Sequence, residues 1–400
     1  MTAPRKTPRG RAVATVLALA LAVPLAAAAS AQAAPTTTAA HGAAASTADA
    51  PATRPELPRP TGRFTVGRDT LHLVDKSRKD PWVPSAGARE LMLSMYYPAR
   101  GAGGRPTAYT SKKAAQELLA YNELDGRISA ADYSSTRTYA RTGAHPAGGR
   151  FPLVVLSPGF TAPRSTLTHL AEDLASRGYV VATVDHAYEA AGAEFDGGRV
   201  PPCVGCVDGG GDSGPRITAG RADDLSFVLD RLVGGPSGKA TWRHSGMIDA
   251  RRIGMGGHSI GGAATAALMD TDPRVRAGVN MDGGFHTRPD GVDRPFLLLG
   301  TTTTVQSGDP YDWGDAWPRL RGWKRWLTVA GSGHFTFTDT PVVFGQLGMS
   351  DPQVPLSGRR SEQITRAYVA AFYDQHLRGI GQPLLDGPTP AHPEVGFHRP

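Results

Sequence analysis

"GMGGHSIGGAATA" spans Gly254 to Ala266. One histidine and one serine stand inside a run of glycines and alanines. A glycine in regular structure costs roughly 0.5–1 kcal/mol relative to alanine. The five glycines around Ser259 (Gly254, Gly256, Gly257, Gly261 and Gly262) therefore need a structural reason. Gly257-His258-Ser259-Ile260-Gly261 fits the pattern G-x-S-x-G. In that pattern a serine sits on a sharp, strained turn between a strand and a helix, with small residues two before and two after it because neighbouring backbone passes close by. The flanks agree: "RRIGMGG" reads as a buried strand, and a helix starts at Ile260.

The elements around this turn alternate. "GRFTVGRDTLHLVD" and "RELMLSMYYPA" alternate apolar and polar residues, as half-buried antiparallel strands do. A helix is expected over Ser111 to Tyr121. "FPLVVLSPG" and "YVVATVDHA" are continuous apolar runs, the signature of strands buried on both faces. Between them "STLTHLAEDLASRG" places Leu167, Leu170 and Leu174 on one helical face, with Gly178 as the stop. A helix over Ile217 to Leu232, the strands "VRAGVNMD", "RPFLLLGT" and "KRWLTVAG", and an amphipathic helix over Gly358 to Leu377 complete the order. Strand and helix in alternation predict an α/β fold, a mostly parallel central sheet with helices on both faces. In such sheets the working groups sit at the carboxyl ends of the strands.

The ends of the chain read differently. Residues 1–34 have the pattern of a secretory signal peptide, with Arg5, Lys6, Arg9 and Arg11 ahead of the apolar stretch Ala12–Ala29 and cleavage expected near Ala31–Ala34. The expected location is extracellular. Of the 43 basic residues four lie in that segment, and the remaining 39 face 36 acidic ones. No basic cluster is left to neutralise a row of phosphates, so nucleic acid is not an expected partner. Residues 35–61, rich in Ala, Thr and Pro, have too few large apolar groups to offset the entropy of ordering and read as a disordered linker. Residues 62–385 form the expected catalytic domain, and 386–400 a proline-rich tail. The two cysteines, Cys203 and Cys206, lie in a Pro/Gly-rich stretch of a chain expected to be exported, and a small loop disulfide is expected in preference to a redox or metal site.

A serine hydroxyl needs a base, and the base needs an orienting acid. In chain order the serine should come first, the acid next and the histidine last. His286, His334, His376 and His392 follow Ser259; His334, in "VAGSGHFTF", directly follows the last long strand and is the expected base. Asp282, ending "VNMD", is favoured as acid over Asp309, which sits several polar residues beyond its strand. The backbone amides of Ile260 and Phe160, the latter in "SPGFTAP", are the expected oxyanion donors. His258 reads as a packing residue. His186 reads equally as pocket lining or as a buried structural histidine. Trp313 and Trp317 are candidate pocket-lining residues or ordinary packing residues. No HExxH and no paired His/Asp spacing appears, so no metal or cofactor is expected.

"LSPGF", "RGYVVATVDH", "GHSIGGAATA", "VNMDGG" and "GSGHFTFTD" together resemble the plasma-type platelet-activating-factor acetylhydrolases and their secreted relatives, over roughly Phe64 to Leu377. The resemblance implies an α/β-hydrolase fold with Ser259 as nucleophile, Asp282 as acid, His334 as base, and Phe160 and Ile260 as oxyanion donors. It implies calcium-independent cleavage of short or oxidised sn-2 acyl groups of phospholipids, with transient contact with a lipid interface. The stretch Glu194 to Gly214, with its CxxC, departs from the family. "SPGFTAPRS" and "GHSIGG" also resemble bacterial cutinases and polyester hydrolases, whose acid comes from the loop that here contains Asp309. A non-catalytic binding member of the fold would lack one of the three residues, and all three are present. Oligomeric state is not fixed by the sequence.

Overall fold

The computed structural model describes residues 54–101, 103–208, 213–236, 238–303 and 312–398. The signal-peptide segment and its cleavage region lie outside them. Two long strands open the fold: β1 (Thr65–Lys79) and β2 (Ala88–Ala99) pair antiparallel. A short strand β3 (Arg105–Pro106), helices α1 (Lys112–Tyr121) and α2 (Ala130–Ser134) and strand β4 (Arg141–Thr142) follow. The alternating part runs β5 (Phe151–Ser157), α3 (Thr168–Ser176), β6 (Val180–His186), α4 (Val204–Asp208), α5 (Gly214–Val233), β7 (Ile248–His258), α6 (Ile260–Thr271), β8 (Val275–Met281) and β9 (Phe296–Thr301). It ends with α7 (Trp313–Ala316), β10 (Lys324–Val329), α8 (Thr340–Gln346), α9 (Gly358–Arg378) and β11 (Val395–His398).

The strands form one sheet in the order β11-β10-β9-β8-β7-β5-β6-β2-β1-β4-β3. From β10 to β6 every pairing is parallel; β2 on β6 and β11 on β10 are antiparallel. The expected α/β fold is observed. Its core has two halves, one on each face. Leu153 and Val155 of β5 face Leu225, Val228 and Leu229 of α5 and Leu268 of α6. Val154 and Leu156 face Leu170 and Leu174 of α3 and Ile364, Tyr368 and Phe372 of α9. Alternate residues of one strand thus feed opposite cores, which is why its sequence is an unbroken apolar run. Helix α9 is closed by side-chain capping at Ser357, which accepts from the Arg360 amide, and by the left-handed Gly379.

Two domain boundaries move. The ordered chain starts before the expected end of the linker at Thr61: Leu57 is 0% exposed, its amide bonds to Arg137 O, and the Glu56 amide bonds to Gln346. The proline-rich tail is part of the sheet, because Val395–His398 pairs with Val329–Trp326 of β10. It covers an otherwise open sheet edge.

Burial raises the proton affinity of the Glu172 carboxyl. Glu172 on α3 accepts from the Tyr139 and Ala140 amides, yet its burial pushes it up to about 7. An acid that binds its proton more tightly folded than unfolded weakens the fold as pH rises through the interval between the two values. Glu172→Gln should therefore gain thermal stability relative to wild type as pH rises from about 4.5 to about 7, the window between the ordinary and raised values. Melting temperatures of both proteins across that range check it; a constant difference contradicts it.

Candidate active site

Ser259 stands between β7 and α6 with φ 55° and ψ −128°, a left-handed conformation that L residues rarely adopt. Its amide bonds to Met281 O at 2.8 Å. A Cβ on Gly261 would lie 2.1 Å from Ser157 O, and one on Gly257 would lie 2.4 Å from both Ser157 O and the Gly261 carbonyl carbon. The turn is pressed against the end of β5, backbone to backbone, and only glycine fits at these two positions. The helix start that this creates leaves the Ile260 amide pointing outward. Neither it nor the Phe160 amide takes a hydrogen-bond partner among the described residues. Gly159, just before Phe160, lies beside the serine: a Cβ there would be 3.4 Å from Ser259 Cβ.

Asp282 follows β8, also at positive φ (58°). Its amide bonds to Leu299 O and its Oδ1 accepts from the Thr301 amide at 2.7 Å. Its Oδ2 accepts from His334 Nδ1 at 2.6 Å. With Nδ1–H committed to the carboxylate, Nε2 is the basic nitrogen. The acid is buried, while the His334 side chain is 46% exposed. The ring can therefore meet a group arriving from solvent. Among the described residues Ser259 Oγ forms no hydrogen bond, and such contacts commonly close only when substrate is bound. Asp309, the alternative acid, lies outside the described residues.

Several supports were not visible in the sequence. His258 is buried; its Nε2–H donates to the His334 carbonyl at 2.7 Å, and its ring lies 4.6 Å from the His334 ring. Burial first, and then the neighbouring His334, hold it well below the ordinary histidine value, so it is neutral. Asn280 pins the turn after Asp282 by accepting from the Gly283 amide and donating to the Gly283 carbonyl, each at 2.8 Å.

Three expectations about the pocket change. Trp313 is fully buried, donates to Gly283 O at 2.6 Å and packs on Trp326. It braces the acid's loop from behind and lines no pocket. Trp317 stacks on Trp326 and under the Lys324 ammonium, as a half-buried packing residue. His186 is buried, with Nδ1 2.8 Å from Asp224 and Nε2 3.0 Å from Ser157 Oγ; it is structural. The rings that do border the site are Phe335, 50% exposed and 5.4 Å from the His334 ring, and Phe160, 6.3 Å from Trp82. Of the other histidines, His376 packs on Trp323 and Phe372, and His392 on Tyr368. Cys203 and Cys206 are joined as a disulfide. Among the described residues no group of three His, Cys, Asp or Glu side chains could hold a metal ion.

Known proteins resemble this chain. The family model described as platelet-activating factor acetylhydrolase, isoform II, matches residues 51–196. A probable 1-alkyl-2-acetylglycerophosphocholine esterase of Arthroderma benhamiae is 29% identical over 85% of this chain and 93% of its own. A cutinase of Thermobifida fusca is 26% identical over 59% of this chain and 69% of its own. The solved structure of a ferulic acid esterase from Streptomyces cinnamoneus is 46% identical, with a TM-score of 0.76, over 87% of this chain and all of that one. The chain belongs to the α/β-hydrolase family. Within that family it is an ester hydrolase of the serine type.

The close approach at the turn yields a direct check. Gly261→Ala must displace either α6 or the end of β5, and overpacking of this kind costs about 1–3 kcal/mol or more. Denaturant unfolding should show that loss together with reduced esterase activity. Wild-type stability would mean that the turn is not tightly seated.

Proposed function

We propose that Ser259, His334 and Asp282 form the catalytic triad, with the Phe160 and Ile260 amides as oxyanion donors. The observation that carries this is the 2.6 Å bond from His334 Nδ1 to Asp282 Oδ2, which commits the ring to a basic Nε2 at the same carboxyl-terminal end of the parallel strands as the left-handed Ser259 turn. Ser259 Oγ attacks the ester carbonyl and gives its proton to His334 Nε2. The carbonyl oxygen, now negative, is held by the two amides. The tetrahedral species expels the alcohol, which takes the proton from Nε2, and leaves an acyl-serine. Water then attacks, passing a proton to Nε2, and the carboxylic acid departs as Ser259 regains its hydrogen. Asp282 keeps the tautomer and stabilises the imidazolium throughout. No step calls for a metal.

The substrate is an ester with a compact acyl group. Esters of hydroxycinnamic acids such as ferulic acid are the first class. The 46% identity to a ferulic acid esterase over that protein's whole length supports it, as do the rings of Phe335, Phe160 and Trp82 beside the site. Short sn-2 acyl groups of phospholipids are the second class, supported by the family model over residues 51–196 and by the fungal relative. We further propose that the protein is exported, on the strength of its basic and apolar first 34 residues.

Ser259→Ala should lower turnover of p-nitrophenyl acetate by at least about 10⁴-fold, because triad members act as a unit. Asp282→Asn should preserve the fold and lose about 10⁴-fold through the wrong tautomer. Near wild-type rates in either variant overturn the assignment. Across p-nitrophenyl esters, kcat/KM should fall as the chain outgrows the pocket, since each further methylene no longer collects about 0.8 kcal/mol of burial. Methyl ferulate should be cleaved faster than a phospholipid with an sn-2 acetyl group; the opposite order selects the phospholipid reading.

A further inference from the structure

Behind the Phe160 loop lies a group of buried charges that the triad does not use. Arg221 on α5 is 1% exposed. Its Nε donates to Glu189 Oε2 at 2.8 Å. Its Nη1 donates to Pro158 O at 2.5 Å and reaches Ser157 Oγ at 3.4 Å, while Nη2 lies 3.5 Å from Gly159 O. Glu189 is held in turn: its Oε1 accepts from Arg89 Nη2 at 2.7 Å and from Trp82 Nε1 at 3.0 Å. Arg89 also donates to Asp80 and Asp224, and Asp224 accepts from His186 Nδ1–H. Burial alone would raise the Glu189 carboxyl; Arg89 and Arg221 overcome it and keep the group ionised. Every one of these side chains except that of Trp82 is buried.

What the cluster holds is the stretch just ahead of Phe160. The Thr161 amide bonds to Glu189 O at 3.0 Å and the Ala162 amide to Gly159 O at 3.3 Å, which leaves the Phe160 amide as the one between Phe160 and Ala162 without a partner. In a planar trans peptide the C=O and N–H point in opposite directions. A Gly159 carbonyl turned toward Arg221 therefore turns the Phe160 N–H away from the charge cluster. A guanidinium suits this task because its planar fork donates in several fixed directions at once, which a single ammonium does not do.

We propose that Arg221, fixed by Glu189, is a positioning residue for ester hydrolysis: it holds the Pro158 and Gly159 carbonyls so that the Phe160 amide is presented to the oxyanion formed at Ser259. This rests on the reading of Ser259 and Phe160 given under Proposed function. The geometry makes the loop's aim, and not merely its stability, depend on a side chain that touches no substrate.

The test compares wild type, Ser259→Ala, Arg221→Met and Arg221→Lys as full chains on p-nitrophenyl acetate, with folding checked by circular dichroism. Loss of an oxyanion donor costs about 10²–10³ in turnover. Arg221→Met should lose about 10²-fold in kcat, with KM changed by less than about threefold, because the donor acts in the transition state. Arg221→Lys should fall between the two. A small alkylboronic acid, which forms a tetrahedral adduct on the serine, should lose affinity for Arg221→Met in parallel with kcat/KM. A merely structural role would lower stability without that parallel. If Ser259→Ala is active, the underlying reading fails and the proposal with it. If Ser259→Ala is inactive while folded Arg221→Met keeps its kcat and its boronate affinity, the positioning role alone is overturned. If Arg221→Met does not fold, Glu189→Gln decides: about a tenfold drop in kcat at unchanged KM supports the proposal, because one of the guanidinium's anchors is weakened, and an unchanged kcat overturns it.

Discussion

The site depends on the backbone contact where the Ser259 turn meets the end of β5, with Ser157 O standing where a Cβ on Gly261 or Gly257 would have to go. Three consequences follow from that one contact. The turn must be tight, so Ser259 adopts positive φ and its side chain is lifted off the strand. Helix α6 begins at once, which leaves the Ile260 amide free at its N-terminus. The strand end it presses on leads directly into Pro158–Phe160, so the second free amide is delivered to the same place. Exchanging either glycine for a larger residue would separate these groups together.

Around this contact the polar residues serve chiefly to fix directions. Asp282 has one oxygen committed to the Thr301 amide and the other to His334, so its carboxylate cannot rotate. Asn280 and Trp313 close the turn that follows it. His258 holds the His334 backbone from below. Such groups gain little net stability from each hydrogen bond, about 1 kcal/mol, but leaving one unmade is costly. Held by these bonds, they specify a single arrangement of the site before substrate arrives, which is what electrostatic preorganisation requires.

The parallel strands were legible because both of their faces are buried, so β5 reads as an unbroken apolar run. The elbow was legible because close packing demands glycine at fixed offsets from Ser259, and Asp282 and His334 because each directly ends or follows such a strand. Strand β11 was not: four residues in a tail rich in proline and histidine carry no periodic signal, and their place comes from pairing with β10. Trp313 and Trp317 pointed equally to a pocket and to packing, and packing against Trp326 prevailed. The charge cluster could not be read as a unit, because Arg89 and Asp224 are 135 residues apart. One signal was present: Arg221 and Asp224 stand among the buried residues of α5, beside Ile217, Leu225 and Val228. Charged residues on a core-facing stripe need partners, and here the partners surround the Phe160 loop.

The central claim is that hydrolysis passes through an ester of Ser259. Rapid acid quenching of the protein during turnover of p-nitrophenyl acetate, followed by peptide mass spectrometry, tests it directly. The account predicts an acetyl group on the peptide carrying Ser259, formed at a rate at least equal to turnover and absent when Ser259 is alanine. Full turnover with no acetyl-enzyme, or with the acetyl group on another residue that Ser259→Ala leaves reactive, would contradict it.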